Sequence, residues 1–230
     1  MKFSSPAYSQ ASGSIAGTTY SHNRGGMYTR SRVTPVNTFS AQRVVVKDNL
    51  ALLAGLWNNT LTVVQRAAWA VFAANVKSTN ALGAQISLSA LNWYIRFNSV
   101  RLQASVARVD AAPVIWELAS LTIPVPTITN LGTTASVAYT VTAGTDDWAR
   151  EVGGYLLIYV GRPFSPGRAQ QVGGYRYAGK VSGAVSPPTS PAVITLPFAT
   201  GPTGSKQQFR FLSLRGDGRS SPSFPVVGTV

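Results

Sequence analysis

Cysteine is absent, and histidine occurs once, at position 22. The first absence excludes disulfide staples and thiolate chemistry. Together the two exclude a Cys/His or all-His zinc site built within one chain. Acid is also scarce: seven Asp and Glu stand against 20 Lys and Arg in 230 residues, a net charge of +13. Charged residues of both signs make up only 12% of the chain, about half of the ~25% usual for soluble globular domains. A surface so short of charge is either covered in use or belongs to a sandwich whose outer face carries Ser, Thr and Gly. Both readings stay open. No apolar run approaches the ~18 residues that would span a bilayer, and no membrane contact is expected. The N-terminus, Met1-Lys2-Phe3-Ser4-Ser5-Pro6, lacks the apolar core of a signal peptide, so the expectation is a protein made and used without export.

What the chain does have is a hydrophobic fraction of 45%, and enough length for one large domain or two small ones. Its charge is uneven. Residues 1–109 carry 11 basic side chains and one acid, Asp48; residues 110–230 carry nine and six. The first half is therefore the electrostatically active half, and its charge could face nucleic acid, an acidic protein surface or a membrane.

The pattern predicts an α+β, multi-part chain. Residues 1–39 read as an extended basic arm, rich in Ser, Gly, Thr, Tyr and Arg, with too few large side chains for a core. In it, Met27, Thr29, Ser31 and Val33 alternate with Tyr28, Arg30 and Arg32, which suits a strand that adds to another subunit's sheet. Residues 40–105 read as a small three-helix domain. Ser40 caps a first helix with the stripe Val44, Val45, Leu50, Leu53, Leu56 and Trp57. Thr62 and Gln65 have capping-box spacing for a second, over 63–76, burying Val64, Ala68, Trp69, Phe72 and Val76. Ser89 caps a third, through Leu102. Residues 106–112 read as a linker. Residues 113–230 read as an all-β, immunoglobulin-like sandwich with strands at 121–123, 135–141, 155–160, 175–181, 192–196, 209–214 and 224–227.

No constellation points to an enzyme, and no cofactor is implied. His22 sits on the glycine-rich arm, without the rigid support a Ser-His-Asp site needs. Asp146, Asp147 and Glu151 are the single acidic cluster. Paired carboxylates can do acid/base work or hold a cation, but these lie between strands beside Gly144 and Gly153, and a solvated turn accounts for them better. Arg24-Gly25-Gly26 lacks the longer frame of a phosphate-binding loop, and a tight bend explains it. Arg215-Gly216-Asp217 spells an adhesion tripeptide, but Asp217-Gly218 is also an ordinary hairpin turn. The arm carries the remaining candidates. Tyr20, Arg24, Met27, Tyr28, Arg30 and Arg32 interleave charge with aromatic surface. Such a set can hold single-stranded nucleic acid by charge and stacking, or pair with carboxylates of a neighbouring protein. The protein neighbour is favoured, because no nucleic-acid-binding module follows the short arm.

Ser12-Gly13-Ser14-Ile15-Ala16-Gly17-Thr18, Arg24 to Arg32, Pro35-Val36-Asn37-Thr38, Ala41-Gln42-Arg43 and Leu61 to Trp69, with more loosely Asn92 to Asn98, form a set of segments. Together they resemble a group of tailed-bacteriophage virion proteins. Where that group reads Asn-Pro, this chain has Asn37-Thr38. The likeness covers under half of the chain. Phe209 to Leu214, then Gly218-Arg219-Ser220-Ser221-Pro222, is similar to the last hairpin of fibronectin type III or immunoglobulin-like modules. The resemblance implies a structural virion protein, assembled in the host cytoplasm. It would bind the major capsid protein or other virion subunits and self-associate in a symmetric assembly, most of all as a capsid cement or decoration protein. A head–tail connector or tail component is the alternative, and a basic nucleic-acid-binding protein the second.

Overall fold

The computed structural model describes all residues except 1–10, 24–25, 35–39, 80–84, 129–131, 142–146, 170 and 172. Arg24 and Asp146 therefore lie outside the described residues. The chain divides into two compact units, residues 1–43 and 44–230.

The first unit holds a three-stranded antiparallel sheet, β1 (Gly13–Ile15), β2 (Thr18–Asn23) and β3 (Gly26–Ser31), in that spatial order. Ile15 pairs with Thr18, so β1 and β2 turn on two residues. Ala16 holds φ 50° there, in the left-handed region that short hairpin loops require. The strand expected around Met27–Val33 is present as β3, and it pairs with the chain's own β2. Thr18–His22 holds β-prone Thr and Tyr and follows the Ala16-Gly17 turn, enough to form a local ladder without large side chains. The expected shortage of core is present. No described residue from 11 to 40 is buried.

All three helices start at their expected caps. In α1 (Ala41–Asn59), which begins in the first unit and runs into the second, the Arg43 amide donates to Ser40 Oγ at 3.4 Å and to the Ser40 carbonyl at 3.0 Å. In α2 (Val63–Asn75) the Gln65 amide donates to Thr62 Oγ1 at 3.2 Å and the Thr62 amide to Gln65 Oε1 at 2.9 Å, a complete capping box. In α3 (Ala90–Gln103) the Asn92 amide donates to Ser89 Oγ at 3.3 Å. Two short strands, β4 (Ser78–Thr79) and β5 (Gln85–Ile86), pair between α2 and α3.

The helical core is aromatic. Trp69, Phe72, Trp93, Tyr94 and Phe97 are fully buried around Leu53. Phe72 and Trp93 meet edge to face at 5.5 Å, Phe72 and Phe97 at 5.7 Å. Three expectations change here. Val44, Val45 and Leu50 of the α1 stripe are exposed, as are Val64 and Ala68 of α2. Trp57 sits half-buried against the core. Trp93 and Phe97, passed over in the sequence, take its centre, because α3 buries Asn98 and Arg101 on the same face and so breaks the apolar period.

The rest of the unit is a β-sandwich. β6 (Val125–Ile128), β7 (Thr134–Ala138) and β10 (Ala192–Thr195) form one antiparallel sheet, in the order β10-β7-β6. β8 (Tyr155–Val160), β9 (Arg176–Ser182), β11 (Lys206–Leu214) and β12 (Phe224–Thr229) form the other, in the order β12-β11-β8-β9. Ile128, Val137 and Ile194 of the first sheet share a core with Leu156, Ile158, Val160, Phe209 and Phe211 of the second. The first strand was expected at 121–123 and instead begins at Val125, with Pro126 inside it. β6 is an edge strand, where the missing proline N–H breaks no inner ladder.

Strand β8 is apolar on both faces, and the fold uses both. Leu156, Ile158 and Val160 face the sandwich core, while Leu157 joins Leu214, Ala104 and Val106 in a second cluster beneath the end of α3. Residues 106–112, expected as a linker, are tied down. Asn98 Nδ2 donates to the Val109 carbonyl at 2.9 Å, the Val109 amide donates to Asn98 Oδ1 at 2.8 Å, and Trp69 Nε1 donates to the Asp110 carbonyl at 2.9 Å.

Candidate partner-binding surfaces

Register places the arm's candidate residues on two faces of its sheet. Tyr20 pairs with Thr29 and His22 with Met27, so Tyr20, His22 and Met27 share one face. Ser21 pairs with Tyr28 and Thr19 with Arg30, so Tyr28 and Arg30 share the other. Arg30 and Arg32 are exposed; Tyr20, Met27 and Tyr28 are half-buried. Arg32 lies just past β3, its amide bonded to the Gly17 carbonyl at 2.7 Å. The sheet thus separates an aromatic-thioether face from an aromatic-basic one. It brings Tyr20 to Met27, and Tyr28 to Arg30, and joins neither pair to the other. Ile15 and Val33 beside it are 74% and 76% exposed.

A second surface lies on α1. From Ala41 to Leu52 every residue is exposed except Asn49, which is half-buried. The exposed set includes Val44, Val45, Val46, Leu50 and Leu52, at 43–54%. Sequence reasoning placed two of these valines in a core. The signal against that placement was the triple Val44-Val45-Val46 itself, since three consecutive helical positions span most of the helix circumference and cannot face one core.

Four of the seven acids are engaged within the fold, while Asp48 and Glu117 are exposed. Asp147 Oδ1 accepts from the Ala149 amide at 3.0 Å and caps the 3-10 turn Trp148–Arg150. Glu151 Oε2 lies 2.8 Å from Arg215 Nε, a charge contact rather than an aligned hydrogen bond. Asp110 pairs with Arg108 at 2.8 Å and accepts from the Tyr94 hydroxyl at 3.2 Å. The expected solvated turn at 146–151 is thus a cap and an ion pair in its described part. His22 is exposed on β2. Among the described residues no three His, Cys, Asp or Glu side chains group to hold a metal ion, and no helix is long and apolar enough to cross a membrane.

The adhesion tripeptide folds onto the protein. Arg215 is 6% exposed. Asp217 Oδ1 accepts from the Arg219 amide at 3.0 Å and Oδ2 from Arg219 Nε at 2.6 Å. Gly218, at φ 98°, closes the turn, and its amide donates to the Arg215 carbonyl at 3.1 Å. The turn reading therefore describes these residues.

A groove of about 440 Å³ opens where α3 meets the outer face of the four-stranded sheet, between Val100, Gln103, Tyr159, Tyr175, Arg210 and Leu212. The Arg210 guanidinium stacks over the Tyr175 ring at 4.1 Å, and the Tyr159 hydroxyl donates to Gln103 Oε1 at 3.1 Å. Burial pushes the Tyr159 hydroxyl up to about 12, with Tyr177 adding to it. Nothing in this lining supplies a nucleophile with an adjacent base.

Comparison with protein-family models, curated proteins and solved structures finds no match to this chain.

Proposed function

We propose that this chain is a structural, non-enzymatic virion protein of a tailed phage. It would bind neighbouring subunits, first among them the major capsid protein, and stabilise the particle as a cement or decoration protein. The observation that carries the subunit-binding part is the N-terminal sheet. It has paired strands and, among the described residues, no buried one, and small sheets of two or three strands without a covered face are marginal in water. A partner that covers Tyr20 and Met27, or Tyr28 and Arg30, supplies the missing burial. Exposed ion pairs contribute only ~0–1 kcal/mol each, so Arg30 and Arg32 set register while aromatic burial and main-chain pairing carry affinity. The virion part rests on the sequence resemblance. The two-sheet strand order, three strands against four, supports the immunoglobulin-like reading of the sandwich.

A head–tail connector or tail component uses the same surfaces, and copy number separates the two. Hundreds of chains per purified particle, counted against the major capsid protein, fit cement; about a dozen fit a connector or tail ring, as closed cyclic assemblies predict. Absence of the chain from particles ends the virion reading. The juxtaposition of Tyr28 and Arg30 on one face favours nucleic acid as the second reading. Deletion of residues 1–36 decides between them. If that deletion abolishes tight, salt-sensitive DNA binding yet leaves attachment to emptied particles unchanged, the arm is a nucleic-acid tether.

A further inference from the structure

The groove between α3 and the four-stranded sheet is chemically one-sided. Register sets Arg210 of β11 between Tyr159 of β8 and Pro225 of β12 on the outer face of the sheet. Neither neighbour is an acid, so no cross-strand carboxylate answers the arginine's charge. The guanidinium lies against the Tyr175 ring, and its Nε is buried and, among the described residues, donates to nothing. A buried donor left unpaired destabilises a fold, and native structures carry few of them. The other polar groups of the lining also offer donors. Tyr159 gives its hydroxyl hydrogen to Gln103 Oε1, which leaves the Gln103 amide nitrogen for another acceptor. Ser223 adds an exposed hydroxyl at the rim. The walls are Val100, Leu212 and the rings of Tyr159 and Tyr175. No Asp or Glu lines the groove, and residues 168–175, which lead into it, contain none.

We infer that this groove binds a monocarboxylate carried on an apolar or aromatic body, about the size of one amino-acid residue. The lining fixes the sign of the ligand's charge, and the single cation fixes its magnitude. One guanidinium, with a planar fork that matches the two oxygens of a carboxylate, offsets one negative charge. The other cations of this sheet stand apart. Lys206 lies about 13 Å along β11 at strand spacing, Lys180 bonds to the Ala104 and Ser105 carbonyls, and Arg176 lies over Phe198. A phosphate monoester, with nearly two charges, would be underserved here. A nucleic-acid strand needs a row of cations along its backbone and finds one. The volume of about 440 Å³ suits a small ligand whose body fills the space between the rings and Val100. A carboxylate on the open edge of the guanidinium also offsets the burial of Nε, because the charge is delocalised over the whole planar group. The inference is independent of the virion reading and of the N-terminal sheet.

The test titrates the isotope-labelled full chain with N-acetyl-phenylalanine, followed by amide NMR shifts. A parallel titration uses N-acetyl-phenylalaninamide, which keeps the body and lacks the charge. The expected result is saturable shifts at residues 100–103, 174–175 and 210–212 with the acid. The amide should bind about tenfold more weakly or worse, the scale of a hydrogen bond to a charged group. Arg210→Gln should weaken the acid by the same factor, and Gln103→Ala by about threefold. If Arg210→Gln fails to fold, the comparison of acid with amide on the unaltered chain still decides. Equal affinity for acid and amide, no saturable binding in the millimolar range, shifts that leave these residues unmoved, or tighter binding of phenyl phosphate or oligothymidylate would each overturn the inference. A decapeptide ending in phenylalanine, with its carboxylate free, then separates two sources of the same chemistry. Binding as tight as that of N-acetyl-phenylalanine assigns the site to a polypeptide C-terminus, and exclusion of the peptide assigns it to a free small acid; both support a carboxylate site.

Discussion

The guanidinium of Arg101, in α3, donates from Nη1 to the carbonyl of Arg215 in the sandwich at 2.9 Å, across 114 residues of sequence. Its Nε donates to the Ala107 carbonyl at 2.6 Å. Burial pulls its pKa below the usual arginine value, against the fields of Tyr155, Asp217 and Glu151. Arg101→Ala takes the side-chain donor from the Ala107 carbonyl and leaves the Arg215 carbonyl with the Gly218 amide alone, and it should lower unfolding free energy by about 1–3 kcal/mol. Urea denaturation measures this. Arg101→Lys should recover only part, since one ammonium lacks the planar fork that serves both carbonyls. A loss under 0.5 kcal/mol would mean that the apolar cluster of Leu157, Leu214 and Val106 alone holds α3 to the sheet.

The N-terminal sheet should be fragile in the free protein. Amides of residues 13–31 should exchange within seconds to minutes, while those of 63–75, around fully buried Trp69 and Phe72, stay protected near the global limit. Hydrogen exchange followed by mass spectrometry checks both in one experiment. Equal protection of the two segments would show that the sheet needs no partner.

The Arg215-Gly216-Asp217 turn should not support cell adhesion. Arg215 is buried against Glu151, and both Asp217 oxygens are engaged by Arg219. Cells should attach to surfaces coated with the native protein no better than to the Asp217→Ala variant. That variant should be destabilised by about 1–3 kcal/mol, because Arg219, 2% exposed, loses its charged partner.

Two tyrosines should ionise late. Tyr94 is raised to about 12 by burial first, and then by Asp110; Tyr159 is raised to about 12 by burial and Tyr177. A hydroxyl whose folded pKa exceeds its unfolded value, near 10, stabilises the fold below that value. Stability should therefore be complete below about pH 10 and fall as pH rises through 12. Ultraviolet difference titration of Tyr159→Phe should lack one of the late transitions. Its persistence would place the raised group elsewhere.

Much of this fold was legible because its signals are local. Thr62 and Gln65 announce a capping box by spacing alone, and Tyr155–Val160 reads as a strand from composition alone. What escaped depends on partners distant in sequence. Trp93 and Phe97 were hidden because Asn98 and Arg101 share their face, and those polar groups are satisfied there by Tyr94, Val109, Ala107 and Arg215. Arg30 could be read as exposed and alternating, but its place beside Tyr28, away from Met27, required the β2–β3 register. The α1 stripe was misread for an opposite reason. Its period is helical and its burial was inferred from period, while Val45 and Leu50 are exposed among the described residues.

The strap from Asn98 to Val109, with Lys180 Nζ donating to the Ala104 carbonyl at 2.9 Å, makes the junction of helices and sandwich a bracket rather than a hinge. A torque applied to the helices would pass through α3 into the four-stranded sheet and swing the sandwich as a rigid lever. Probes on α2 and on β10 should therefore keep one fixed separation whatever the helices or the sandwich bind.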